Sequence, residues 1–368
     1  MMNEVRPMGS NKWVSSLQLM IVIINIMVGA SLLMLPRTVA ETAKQDMWLS
    51  VLLASALMGT SFRIAAALAA YFPAYTSIEY HCILLGRTFG NILNCIMLAL
   101  MLAITAQFVR VFRMAVKIFL LDLTPSQVIV LALLLLALYA TQHGLAPVIR
   151  VQQFLFLFSY SIFIFLILLG LLAIEAEHYT PVLANGVKPV LQGTAACWMA
   201  YSGPEFIIGL VYPYVARRES VIRFGLAGIG AVAVLYVFIT GITLGILGPE
   251  EIADFLIPTV MAYRSVEIPD TFIERIDGYL VIVWIAICFT ALVNWLYFTG
   301  FGIARMMKLE NSRSVIVLLL PVICYLENLP PDIQAVMASA SWLNYIGLAW
   351  GLGVLPLLWG IAWWRRRR

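Results

Sequence analysis

Asn25-Ile26-Met27-Val28-Gly29-Ala30-Ser31, with Pro36 beyond it, and Ala200-Tyr201-Ser202-Gly203-Pro204-Glu205-Phe206, with Pro213 beyond it, decide the fold. Each lies midway along an apolar run long enough to cross the ~30 Å hydrocarbon core of a bilayer. Glycine and proline inside a helix remove a donor, weaken the i→i−4 ladder and bend the backbone. Irregular backbone at that depth survives only where protein buries it or a watery cavity is lined by it. Pro36 and Pro213 are expected to close the two runs. One such break would read as an ordinary proline kink. Two at equivalent places in two halves point to an inverted repeat with its ligand site at the breaks.

The rest of the chain fits that reading. Of 368 residues, 62% are apolar and 11% charged, with mean hydropathy +0.96. Soluble domains carry roughly a quarter charged residues, so lipid is the expected solvent. Apolar runs fall at about 15–36, 47–71, 90–120, 126–142 and 149–173, then 190–213, 221–247, 272–304, 313–328 and 339–363. That predicts ten transmembrane helices in two groups of five. The first run is too long for the apolar part of a signal peptide and lacks a cleavage site, so it is expected to remain as a span.

Orientation follows from lysine and arginine placement. With the N-terminus cytoplasmic, the inner segments hold Arg6, Lys12, Arg87, Arg150, Arg217, Arg218, Arg223, Arg305, Lys308, Arg313 and Arg365 to Arg368. The outer loops hold only Arg37, Lys44, Lys117, Lys188 and Arg264. Both termini are therefore expected in the cytoplasm. The organisation is a cytoplasmic segment 1–14, one transmembrane domain 15–364 (repeats about 15–173 and 190–363) and a basic tail 365–368. That tail follows Trp363-Trp364 and suits a lipid headgroup layer rather than nucleic acid. The outer segment 248–271 is acidic, with Glu250, Glu251, Asp254, Glu267 and Asp270, and lacks metal-ligand spacing. The five cysteines are scattered without a CxxC pair and are expected to act as small apolar side chains.

Val28-Gly29-Ala30-Ser31 with Leu35-Pro36, and Tyr201-Ser202-Gly203-Pro204-Glu205, resemble the amino acid–polyamine–cation transporter superfamily. A closer resemblance is to the B subunits of endospore germinant receptors, the GerAB/GerKB family. It is carried by Leu33–Pro36 with Asp46-Met47-Trp48-Leu49-Ser50-Val51-Leu52, by Tyr179-Thr180-Pro181-Val182-Leu183 with Gly186 and Pro189, and most by Phe272-Ile273-Glu274-Arg275-Ile276-Asp277 followed by Trp284. The resemblance implies an all-α integral membrane protein, a LeuT-type 5+5 inverted repeat of ten transmembrane helices with helices 1 and 6 broken. It also implies a sensor of small nutrients, usually amino acids, in the spore inner membrane, acting with receptor A and C subunits. Ser31 departs from the superfamily, many of whose transporters have a second glycine there; it narrows the opening and adds a hydroxyl.

The candidate ligand residues are Val28, Gly29, Ala30 and Ser31 at the first break and Tyr201, Ser202, Gly203, Glu205 and Phe206 at the second. The N–H groups at a half-helix start can hold a carboxylate. Glu205 could bind a ligand amine, take up a proton or link its helix to a neighbour; bonding to nearby backbone is the plainer alternative. Thr105, Thr290 and Asn294 are polar positions in apolar runs, although hydroxyls often bond back to their own helix. Arg110 and Arg113 share one face of span 3, and Glu274 and Asp277 share one face at the start of span 8. Pairing of these four as an outer gate stands against separate snorkelling to the headgroups. No cofactor is implied. His81, His143 and His178 fall in predicted loops, and HExxH, GxSxG and P-loop patterns are lacking, which argues against an enzyme. A nutrient sensor and a secondary active amino acid transporter need the same pocket and both remain open.

Overall fold

The computed structural model describes residues 14–266 and 276–367, with side chains at 145, 146 and 276 excepted. Its helices run α1 (Ser16–Met27), α2 (Ser31–Ala43), α3 (Met47–Tyr71), α4 (Ser77–Leu85), α5 (Arg87–Phe119), α6 (Ser126–Gln142), α7 (Leu145–Gly170), α8 (Val187–Ala196), α9 (Trp198–Tyr201) and α10 (Pro204–Val211). They continue as α11 (Val221–Asp254), α12 (Pro258–Arg264), α13 (Ile276–Met306), α14 (Arg313–Asn328), α15 (Ile333–Ala349) and α16 (Leu355–Arg367). Among the described residues, six helical runs are long and apolar enough to cross a membrane. The remaining apolar runs are either interrupted, as α1/α2 and α8/α9/α10, or only 16–17 residues long, as α14 and α6.

Both predicted breaks are present. α1 stops because Val28 turns to extended backbone (ψ 94°), and α2 restarts at Ser31. α9 stops at Tyr201, Ser202 is extended, and Gly203 takes φ +133° before Pro204 opens α10. Proline suits that first helical position because its missing N–H has no helical partner there. Pro36 does not close the first run. It lies inside α2, which continues to Ala43. So near the helix start its missing N–H costs a single ladder bond, to the Leu32 carbonyl.

Other edges differ from the sequence reading. Residues 77–85 form a helix, opened by a reciprocal cap between Thr76 and Glu79, so His81 lies on a helix and not in a loop. α11 runs past its expected end to Asp254, with a kink at Gly248 (φ +76°) before Pro249. Between α15 and α16 the chain makes a π turn over Trp350–Val354.

Packing sorts the helices by composition. α1, α11 and α13 are apolar on most faces and buried over most of their length, α11 against α1, α2 and α3, and α13 against α1, α5 and α7, with Val234 and Ile282 among the side chains left outward. α7 instead turns Phe154, Leu157, Phe158, Ile164, Phe165 and Leu168 outward. Side chains of that size on an outer surface mark contact with lipid. Cys197 and Cys288 are buried, as expected of small apolar side chains, while Cys95 lies exposed on α5.

Gly203 holds the second break by its conformation. A Cβ there would sit 2.9 Å from Ile26 Cγ2 of α1, on backbone that L side chains rarely adopt. Gly203→Ala is expected to destabilise the protein by about 1–3 kcal/mol. Thermal unfolding of the purified chain in nanodiscs measures this, with Gly230→Ala, which opens onto free space, as the unaffected control.

Candidate functional site

The two breaks leave helix ends facing each other in an apolar interior, and side chains of the packed helices satisfy them. The Tyr236 hydroxyl of α11 lies 2.7 Å from the Met27 carbonyl, at the end of α1, and 3.1 Å from the Ala200 carbonyl in α9. One hydroxyl hydrogen thus serves the carboxyl ends of both broken helices. The Trp284 indole of α13 donates to the Gly29 carbonyl at 3.0 Å. Gly29 is where α5 comes closest to the break, since a Cβ would meet Phe108 Cε2 at 2.4 Å.

The amino ends differ. At α10, the Glu205 carboxylate accepts from the Ser202 hydroxyl and from the Gly203 N–H, both at 2.9 Å. A carboxylate in the first turn of a helix is placed to meet the positive end of its dipole. This is the bonding to nearby backbone that the sequence left open. At α2 no side chain caps the start, and Ala30 and Ser31 line a cavity.

That cavity has a volume of about 100 Å³. Its lining is apolar for the most part, with Ile26, Met27, Met34, Phe108, Met199, Ala200 and Trp295 among its walls. Polar groups come from Ser31, Thr38, Gln107 and Asn344, and among the described residues no ionisable side chain lines it. Three of the four are already engaged, Thr38 with the Met34 carbonyl of its own helix at 3.2 Å. Gln107 donates to the Val336 carbonyl at 3.0 Å, and Asn344 Oδ1 accepts from the Met199 N–H at 2.6 Å.

Of the residues predicted from sequence, Ala30 and Ser31 line the cavity, and Val28 and Gly29 complete the break beside them. Tyr201, Ser202, Gly203, Glu205 and Phe206 form the second break behind Met199 and Ala200 and do not line it. Tyr201 donates to the Val51 carbonyl, and Phe206 packs near Trp295 and Trp350. Thr105 and Thr290 bond back to Met101 and Ile287 of their own helices. Asn294 accepts from Gln152 at 2.7 Å, away from the cavity lining.

The arginine pair has an acidic partner that the sequence reading missed. Arg113 lies 3.2 Å and Arg110 3.9 Å from the carboxylate of Glu327, which is buried at the end of α14. Glu274 lies outside the described residues, and Asp277 is buried at the start of α13. Gln107, Asn344 and Tyr236 were also missed. A polar residue inside an apolar run marked each, but nothing in a linear pattern tells which helix faces which.

Two of the stretches that carried the family likeness meet in space, at Asp46 with Gln45 beside it, while Phe272–Arg275 of the third lie outside the described residues. Asp46 accepts from the Leu183 N–H at 2.9 Å, Gln45 donates to the Pro181 carbonyl at 3.1 Å, and Trp284 holds the first break. Residues 13–336 match the spore germination protein family. The chain belongs to that family. Spore germination protein YndE of Bacillus subtilis (strain 168) is 31% identical over 356 residues, covering 96% of this chain and 97% of the relative. Spore germination protein A2 of the same organism is 27% identical, covering 92% of each. Spore germination protein KB is 22% identical, covering 82% of this chain and 81% of the relative. Among solved structures, MhsT in complex with L-phenylalanine superposes with TM-score 0.66 at 13% identity, over 96% of this chain and 89% of that one. The nucleobase-cation-symport-1 family transporter MHP1 does so with TM-score 0.61 at 11% identity, over 98% and 80%. This spore germination protein is a membrane protein and shares the fold of these LeuT-type transporters.

Tyr236→Phe would leave two buried carbonyls without their shared donor. A loss of about 1–3 kcal/mol is expected, read as thermal unfolding in nanodiscs. Tyr179→Phe, which removes one bond from a half-buried hydroxyl to the Gly241 carbonyl, should cost less.

Proposed function

We propose that this chain is the nutrient-sensing B subunit of a spore germinant receptor and binds a small amino acid in the cavity at the two helix breaks. The observation that carries the reading is that cavity itself, bounded by Ala30 and Ser31 on one break and by Met199 and Ala200 at the other. Walls whose described residues are not ionisable suit a ligand that brings its own balanced charges on a small apolar body. The start of α2 can receive the carboxylate, because the first N–H groups of a helix have no partner within it. The α10 start is occupied by Glu205 of the protein itself, so this reading gives Glu205 the role of holding the second break in register. MhsT, which binds L-phenylalanine, has the same fold and lends the ligand class support.

In this reading the chain has ten spans, five plus five, in one domain of repeats at about 15–173 and 190–363. Helices α1 with α2 form the first broken span, and α8 to α10 the sixth. Residues 1–14 and the arginine tail lie in the cytoplasm, and the membrane is the spore inner membrane. Receptor A and C subunits are the partners that read the ligand-bound state, a population shift that binding can drive only through different contacts in the two states. A secondary active amino acid transporter is the second reading, favoured by the likeness to MHP1.

Binding of radiolabelled amino acids to the chain in nanodiscs tests the site. Ser31→Trp, which fills the cavity, should reduce binding at least tenfold, and unchanged binding rejects the cavity as the site. Glu205→Gln, which cannot accept both hydrogen bonds, should raise the amino acid concentration that triggers germination; an unaltered dose–response curve rejects its role. Gradient-driven uptake into proteoliposomes carrying this chain alone would favour the transporter, and binding without uptake the sensor.

A further inference from the structure

A second cavity, of about 650 Å³, lies against the C-terminal part of α5 and the start of α15. Arg110, Arg113 and Lys117 line it, all on one face of α5, together with Asp332. Both arginines are largely buried, their side chains 12% and 10% exposed. Among the described residues, Glu327 lies within ion-pair distance of both, and Asp332 spends an oxygen on the Ala335 N–H as the cap of α15. Among the described residues, three cations thus face two carboxylates, with both arginine side chains largely withdrawn from solvent.

The polar contacts of the three cations are mostly to neutral groups. Arg110 donates to the Pro330 carbonyl at 3.1 Å and Arg113 to Asn328 Oδ1 at 3.3 Å. Lys117 donates to the carbonyls of Asp122 and Thr124 at 3.1 and 3.0 Å. Arg110 Nε is buried and has no partner. Carbonyls and amides soften a buried cation but do not neutralise it, and arginine with lysine makes a fit for a carboxylate.

The cavity adjoins the central one. Val111 and Val336 line the central cavity, while Arg110, Met114 and Ile333 line the second, within a turn along the same two helices. Gln107 stands between them, donating to the Val336 carbonyl and accepting from Ser339.

We propose that this second cavity is a carboxylate-binding site, distinct from the central cavity, that takes the carboxylate of a small monoacid at Arg110 and Lys117. Its place as an entry station for an amino acid rests on the function proposed above; carboxylate binding does not. The test uses carboxyl-¹³C acetate and the full chain in phosphatidylcholine nanodiscs, at low and fixed ionic strength. The acetate resonance should broaden relative to empty nanodiscs and sharpen again with excess unlabelled acetate. The double variant Arg110→Gln, Lys117→Gln should lose at least two thirds of the broadening, while Arg110→Lys keeps most of it. Ser31→Trp, which blocks only the central cavity, should leave it intact. Broadening no greater than in empty nanodiscs, or equal in the double variant with its gel-filtration profile unchanged, overturns the proposal. So does its loss in Ser31→Trp, which would assign the signal to the central cavity. Failure of labelled amino acids to bind would sink the sensor reading and leave the acetate result standing.

Discussion

Peptide groups released by a broken helix in an apolar interior need partners, and the rest of this structure is arranged to supply them. The last carbonyls of α1 and α9 have no next helical turn to accept from. Tyr236 answers both at once, from a helix packed against α1, and Trp284 answers the Gly29 carbonyl from α13. Hence α11 and α13 have to lie where they do, buried and apolar on most faces, for the breaks to exist. A large aromatic with a single donor is well suited to this work, because its body fills space while its polar tip reaches one acceptor group.

The amino ends at the two breaks pose the same electrostatic problem and arrive at different states. Glu205 meets the α10 dipole with the protein's own carboxylate, held by Ser202 and Gly203. The start of α2 has no such internal anion and opens on the central cavity. A further cationic excess lies at Arg110, Arg113 and Lys117, only partly met by Glu327. Positive potential that the fold leaves unbalanced thus lies along one side of α5, on a line from the second cavity to the first.

The breaks were legible because Gly29 and Gly203-Pro204 are local chemistry: φ +133° and a missing donor depend on the residue itself. Trp284 stood out through its motif, and the structure gives the reason in its bond to the first break. Edges that depend on neighbours were less legible. Pro36 looks like a stop in the linear pattern, yet α2 packs on α8 and α11 and runs on through it. α4 is short and polar at its start, so its Thr76–Glu79 cap carried less weight than the apolar runs around it. Glu327 is the hardest case. It is an acidic residue near the end of an apolar run, and its pairing with two arginines more than two hundred positions away exists only once α5 and α14 are packed together.

How occupancy of the central cavity can be felt elsewhere follows from which pieces are tied. α1 is joined to the second broken run at both of its ends. At its start Val14 donates to the Tyr214 carbonyl at 2.8 Å and accepts from the Ala216 N–H at 3.0 Å; at its finish Tyr236 holds Met27 beside Ala200. Arg305 of α13 bonds the Tyr214 hydroxyl and lies 3.8 Å from Glu79, which caps α4, so that end is fastened to two further helices. α2 carries further ties of its own, beside its packing on α8 and α11. Its Leu33 carbonyl accepts from Thr259 of α12, and its Arg37 reaches the Phe255 carbonyl. The covalent link between α1 and α2 is the short stretch Val28–Ala30, extended at Val28, and the cavity lies at that joint. A ligand bridging Ser31 to Met199 or Ala200 would link the two breaks across that joint, and could bias α1 against α2 only through contacts that differ between two arrangements of it.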